Sequence, residues 1–162
     1  MKIILAVILT AALLFLFSRE PEEVHFHAGF QVYKDNQLQD YSGLEYMHLE
    51  PCNKEGLEEE PTPEHEQEER AHLHDNIGDV VHVHRGNVVW RDLFKNINVE
   101  IDPDTKAYIN GREISDFLNH PIKAYDSLIV LEGETELSNK LETAVTKEHI
   151  IDAESASENC GS

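Results

Sequence analysis

Val24-His25-Phe26-His27-Ala28-Gly29-Phe30-Gln31-Val32 alternates with a period of two, the pattern of a strand that turns one face to a core. The apolar side chains take the even positions, so His25 and His27 share the opposite face. On an extended backbone residues two apart lie about 6.6 to 6.8 Å apart, and two imidazoles so placed can aim at one point. The same His-x-His spacing recurs at His72 and His74 and at His82 and His84, which puts six of the ten histidines in three pairs. Val81 and Val83 oppose the third pair as Phe26 and Ala28 flank the first.

Working outward, Lys34-Asp35-Asn36-Gln37 reads as a turn into a second strand, from Leu38 to Tyr41 and again from Tyr46 to Leu49. Residues 51–70 are acidic, hold three prolines and lack an apolar period, a solvated loop that turns helical near Glu64 to Ala71. His65 within it is expected to be solvated. Asp79 to His84 reads as a strand, and Gly86-Asn87 as a tight turn into Val88-Val89-Trp90, a hairpin signal. Trp90, Leu93, Phe94 and Ile97 then recur at helical spacing, predicting a short helix over Arg91 to Ile97.

Val99 to Ile101, Lys106 to Asn110 and Arg112 to Ile114 read as short strands, the last two joined through Asn110-Gly111, which suits a type I′ turn. Ser115 caps a brief turn at Asp116 to Leu118, and Ser127 to Leu131 is a buried closing strand. Together these predict an α+β domain with a small mixed or antiparallel sheet and one short packed helix. The order from Asp79 to Gly133 resembles a β-grasp. A helix from about Leu137 to Ile151 follows in an acidic segment, residues 134–162, which reads as a tail or a lid.

Ile3 to Phe17 is apolar apart from Thr10, with Lys2 before it and Arg19, Glu20, Glu22 and Glu23 after it. It is short beside the roughly 20 residues of a membrane span and sits at the top of the roughly 7 to 15 of a signal-peptide core. Bulky Leu16 and Phe17 precede Ser18 where a cleavage site needs small residues, so an uncleaved bilayer anchor is expected. Lys2 then stays cytoplasmic and places the domain, residues 20–133, outside. Cleavage would make the protein secreted instead.

The chain's 162 residues carry 32 acidic against 13 basic side chains, a formal charge of −19. Nucleic acid is therefore excluded as a partner, and cations are favoured.

Neutral imidazole suits zinc and copper, and three or four around one point satisfy either ion. The metal-ligand candidates are His25, His27, His72, His74, His82 and His84, holding one or two ions of zinc or copper. Asp75 is expected either to bind metal or to accept a ring N–H and fix a tautomer. His48 and Cys52 are second-rank candidates. Cys52 and Cys160 permit three readings: a disulfide, a thiolate ligand at Cys52, or two free thiols. His120, in a turn, and His149, without a histidine neighbour, are expected to have no metal role.

His25-Phe26-His27, the string His72-Leu73-His74-Asp75 followed by Gly78 and the strand Val80 to His84, the aromatic-led helix and the Asn110-Gly111 hairpin resemble a family of small, mostly uncharacterised prokaryotic membrane-anchored proteins. The resemblance spans Val24 to Gly133 and implies a shared site without naming a reaction.

Three function classes follow. The first is metal capture, sensing or delivery; the second is a metal-dependent hydrolase or oxidoreductase on the same histidines, with Asp75 as orienter or base and Asp79 and Glu50 as the other candidate bases. The third is a metal-free interaction module with pH-responsive histidines. Asn76 and Ile77 break the His-x-His-x-Asp-His string of metallohydrolases, and no Gly-x-Ser-x-Gly elbow, phosphate loop or Cys-x-x-Cys motif occurs.

Overall fold

The computed structural model describes residues 23–49, 62–137 and 139–156. The expected anchor at residues 3–17, Glu50, Cys52 and Cys160 lie outside these residues. Among the described residues no helix is long and apolar enough to cross a membrane.

The alternating stretch forms β1, Glu23–Lys34, the strand around which the α+β domain is built. Asp35 and Asn36 both take positive φ and return the chain as β2, Gln37–Leu38. Next come α1, Pro63–Glu68, β3, Ala71–His72, and β4, Val80–Arg85. The helix α2, Trp90–Asn96, precedes β5, Lys106–Ile109, β6, Arg112–Ile114, and β7, Ser127–Glu132, and the described chain ends in α3, Lys147–Ala156.

The seven strands form one mixed sheet in the order β3-β4-β1-β7-β5-β6, with β2 pairing β1. β1 runs parallel to β7, with Phe30 opposite Leu128 and Val32 opposite Val130. It runs antiparallel to β4. Because β7 has neighbours on both sides and both of its faces are covered, its SLIVL run is apolar at consecutive positions. The type I′ reading of Asn110-Gly111 matches their φ values of 51° and 77°.

Even positions of β1 enter the main core, where Phe30 meets Trp90, Leu93, Phe94, Phe117 and Leu128, all buried. α2 lies on this face. Its first turn is closed by Asp92, whose carboxylate accepts the Val89 N–H at 2.9 Å. The other face is divided. Tyr33, Tyr108, Ile129 and Leu131 pack under Leu141 and Ala144, while Val80 packs with Val145, Ile150 and Ala153. The remaining part, over β1, β4 and β3, carries histidines.

Four sequence expectations are corrected. Val88 to Trp90 is not a returning strand: β4 already has β1 and β3 on its two edges, so Trp90 begins α2 instead, fully buried. Val99 to Ile101 is no strand, because the Val99 N–H turns back to the Phe94 carbonyl at 2.8 Å and closes the helix. The second strand shrinks to Gln37–Leu38; Tyr41 leaves the ladder to stack on Phe30 at 5.8 Å between ring centroids, and Leu44–Tyr46 forms a 3-10 turn. The tail helix begins at Lys147, where the Thr146 hydroxyl accepts the His149 N–H at 3.2 Å, a start signal that outweighs the apolar spacing from Leu137.

The tail crosses the sheet at Gly29. A Cβ there would lie 2.5 Å from the Val145 Cβ, so only glycine lets the segment approach. Gly29→Val is expected to destabilise the domain by about 1–3 kcal/mol through overpacking, read as a lower urea midpoint; an unchanged midpoint would place Val145 elsewhere.

Candidate metal centre

Three strands deliver the histidines. In the antiparallel pairing of β1 with β4, His27 lies directly opposite His82, and in that of β3 with β4, His72 lies opposite His82. Facing residues on adjacent strands present their side chains side by side on one face. A row His27-His82-His72 results, with His25 and His84 beside it and His74 just past the end of β3.

The rings are in mutual contact. His82 lies 4.3 Å from His27, 4.5 Å from His25, 4.1 Å from His84, 4.8 Å from His74 and 5.2 Å from His72, centroid to centroid. All six first-rank candidates therefore meet. Two triads, His25 with His27 and His82, and His72 with His82 and His84, each offer ring nitrogens within 4.8 Å of one another. Tetrahedral zinc with bonds of about 2.0 Å wants donor nitrogens about 3.3 Å apart, so a small inward rotation of the rings would suffice.

Hydrogen bonds decide which nitrogen each ring presents. The Glu68 carbonyl can only accept, so His72 donates to it from Nδ1 at 3.1 Å and keeps its lone pair on Nε2. Asp75 accepts from His74 Nδ1 at 2.6 Å. With Nδ1 donating to Asp75, His74 Nε2 is the acceptor 2.8 Å from His82 Nδ1 and receives its N–H. That relay leaves the His82 lone pair on Nε2. Asp75 thus fixes a tautomer through its neighbour, as carboxylates behind metal-binding histidines do.

Among the described residues, His82 Nε2, His84 Nε2 and both nitrogens of His27 are buried without a hydrogen-bond partner. Each such group costs on the order of 1–3 kcal/mol unless something occupies it. Burial, and then the nearby His74, His25 and His84, hold His27 down to about 4. Burial likewise lowers His84 to about 4; His25 adds to the effect and Glu69 opposes it. His72 is held well below the ordinary imidazole value by burial and by His48, and His82 is lowered by burial and by His84. These rings are neutral donors at neutral pH, the form a metal binds.

The remaining candidates divide. His48 adjoins the cluster through His72, at 4.7 Å between centroids, with its Nδ1 3.7 Å from a Glu68 carboxylate oxygen. His65 is not simply solvated: it is half-buried, with Nε2 3.1 Å from Glu69, four residues on at the C-terminal cap of α1. His149 binds Asp79 at 3.0 Å, and His120 serves its turn through its backbone, accepting from Trp90 N–H at 3.3 Å. Sequence reasoning missed Glu154, whose carboxylate comes within 3.9 Å of His27 Nδ1. No spacing rule could have found it, since α3 reaches the site only by docking on the sheet.

The chain matches no protein-family model, no curated protein and no solved structure.

An imidazole kept neutral in the fold, with an ordinary value of 6.5 in the unfolded chain, takes up its proton when the chain opens. The unfolded state therefore binds more protons between about 4 and 6.5, and stability rises with pH across that window. The metal-free protein is expected to hold full stability above pH 6.5 and to lose it progressively as pH falls toward about 4, where His27 and His84 charge in the fold as well. Urea midpoints at pH 8, 6 and 5 measure this; equal midpoints would mean that water reaches these rings.

Proposed function

We propose that this is a membrane-anchored, extracytoplasmic protein that binds zinc or copper through His25, His27, His72, His82 and His84, with His74 held between Asp75 and His82 as the ring that orients His82, for metal capture, sensing or delivery. The observation that carries the reading is the convergence of buried, neutral ring nitrogens of His27, His82 and His84 that lack hydrogen-bond partners among the described residues. A folded protein seldom leaves such groups empty-handed, and one cation would engage them together. The formal charge of −19 favours cation approach.

Binding is preferred over hydrolysis because the two candidate bases among the described residues are engaged, Asp75 by His74 and Asp79 by His149. We also read the fold as β-grasp-like. The order β4-β1-β7-β5-β6, with β1 parallel to β7 and α2 following the β1–β4 pair, supports that reading, with residues 35–79 as an insert between the paired strands. The anchor at residues 3–17 and the kinship with small prokaryotic membrane-anchored proteins belong to the same proposal.

The purified, desalted full chain is expected to retain zinc or copper by elemental analysis. His82→Ala is expected to lose it and His120→Ala to keep it. Free metal at a hundred times its Kd should add about 2.7 kcal/mol of stability to the wild type and nothing to His82→Ala. A wild-type chain that holds no metal after reconstitution with either ion would refute the reading.

A further inference from the structure

The two triads overlap in one residue. His25, His27 and His82 make an outer triad, open to solvent at the exposed His25; His72, His82 and His84 make an inner one, in which His72 and His82 are buried. A shared histidine serves two ions at once only as a bridging imidazolate, with one metal on each nitrogen. His82 is prevented from doing so. Its Nδ1 is engaged 2.8 Å from His74 Nε2, and His74 is anchored in turn by Asp75 at 2.6 Å. One lone pair remains for metal, on Nε2, which is buried and has no hydrogen-bond partner among the described residues.

We propose that the two triads are alternative seats for a single divalent ion, which passes between them by ligand exchange about His82 Nε2. The idea rests on the metal-binding reading above and deepens it. In the exchange only metal–nitrogen bonds change: those to His25 and His27 break as those to His72 and His84 form, while the bond to His82 persists. No proton or electron moves. The ring contacts suit such a step, because His82 lies between the two sets, 4.5 Å from His25 and 4.1 Å from His84, and His25 and His84 stack 5.4 Å apart with planes only 6° from parallel. Neutral ligands leave a bound ion its full charge, so a second ion in the adjoining seat would be repelled at close range. The outer seat takes the ion from solvent and the inner seat keeps it.

The test is a zinc(II) titration of the metal-free full chain, followed by calorimetry and by elemental analysis after desalting. One zinc per chain is expected for the wild type, and also for His25→Ala and His84→Ala, since each single variant keeps one seat. The His25→Ala/His84→Ala chain breaks both triads and should lose more than the roughly 100-fold in affinity that loss of an outer-shell partner costs. Release to a chromophoric chelator should be several-fold slower from His25→Ala, which lacks the solvent-facing seat, than from the wild type. Exposed His25 makes little demand on the fold, so that comparison stays interpretable.

Two zinc ions per wild-type chain would overturn the shared seat while leaving metal binding intact. Equal release rates from His25→Ala and wild type would overturn the exchange. A wild type that takes up no zinc or copper at all would remove the underlying reading instead.

Discussion

The register between β1 and β4 governs everything else. His27 opposite His82 sets even positions of β1 against the core helix α2 and odd positions toward the histidine face. A slip of one residue would exchange the two sets, driving His25 and His27 into the space of Phe26 and Ala28. The alternation that buries Phe30 is therefore the same constraint that gathers the imidazoles. Fold and site are two readings of one strand pairing.

That pairing also explains the cost carried by the site. Neutral imidazoles packed against one another give up hydration and receive few hydrogen bonds in return, and apolar residues in their place would fit a sheet face more comfortably. The core on the opposite face, with Trp90, Phe30 and Phe117 fully buried, is what offsets the expense. The main core lies on one face of the sheet, while the other face divides between two smaller apolar clusters and the candidate site.

Much of this was legible in the residues. Period two revealed β1, β4 and their histidine faces; Asn110-Gly111 announced its hairpin; the helical spacing of Trp90, Leu93, Phe94 and Ile97 placed α2 within one residue. One failure came from the number of neighbours a strand has. Val88-Val89-Trp90 has strand composition, yet no edge of β4 remained to receive it. Glu154 and the relay from Asp75 through His74 to His82 were beyond reach for a related reason: both arise from the meeting of segments that share no local pattern. Asp75 was suspected of orienting a ring because it adjoins His74; that its influence reaches one histidine further needed the ring-to-ring contact at 2.8 Å.

Of the two readings of the segment after Gly133, a tail or a lid, the packing of its residues favours the second. Leu141 and Ala144 lie over Tyr33, Tyr108, Ile129 and Leu131, and Val145 and Ile150 lie over Val80. A chain cut at Gly133 would keep its main core, since none of those buried residues comes from the tail. It would, however, present a contiguous greasy plateau of two tyrosines and two aliphatic side chains to water. Its failure would be clumping with its own copies before melting, which makes the C-terminal segment a guardian of colloidal solubility.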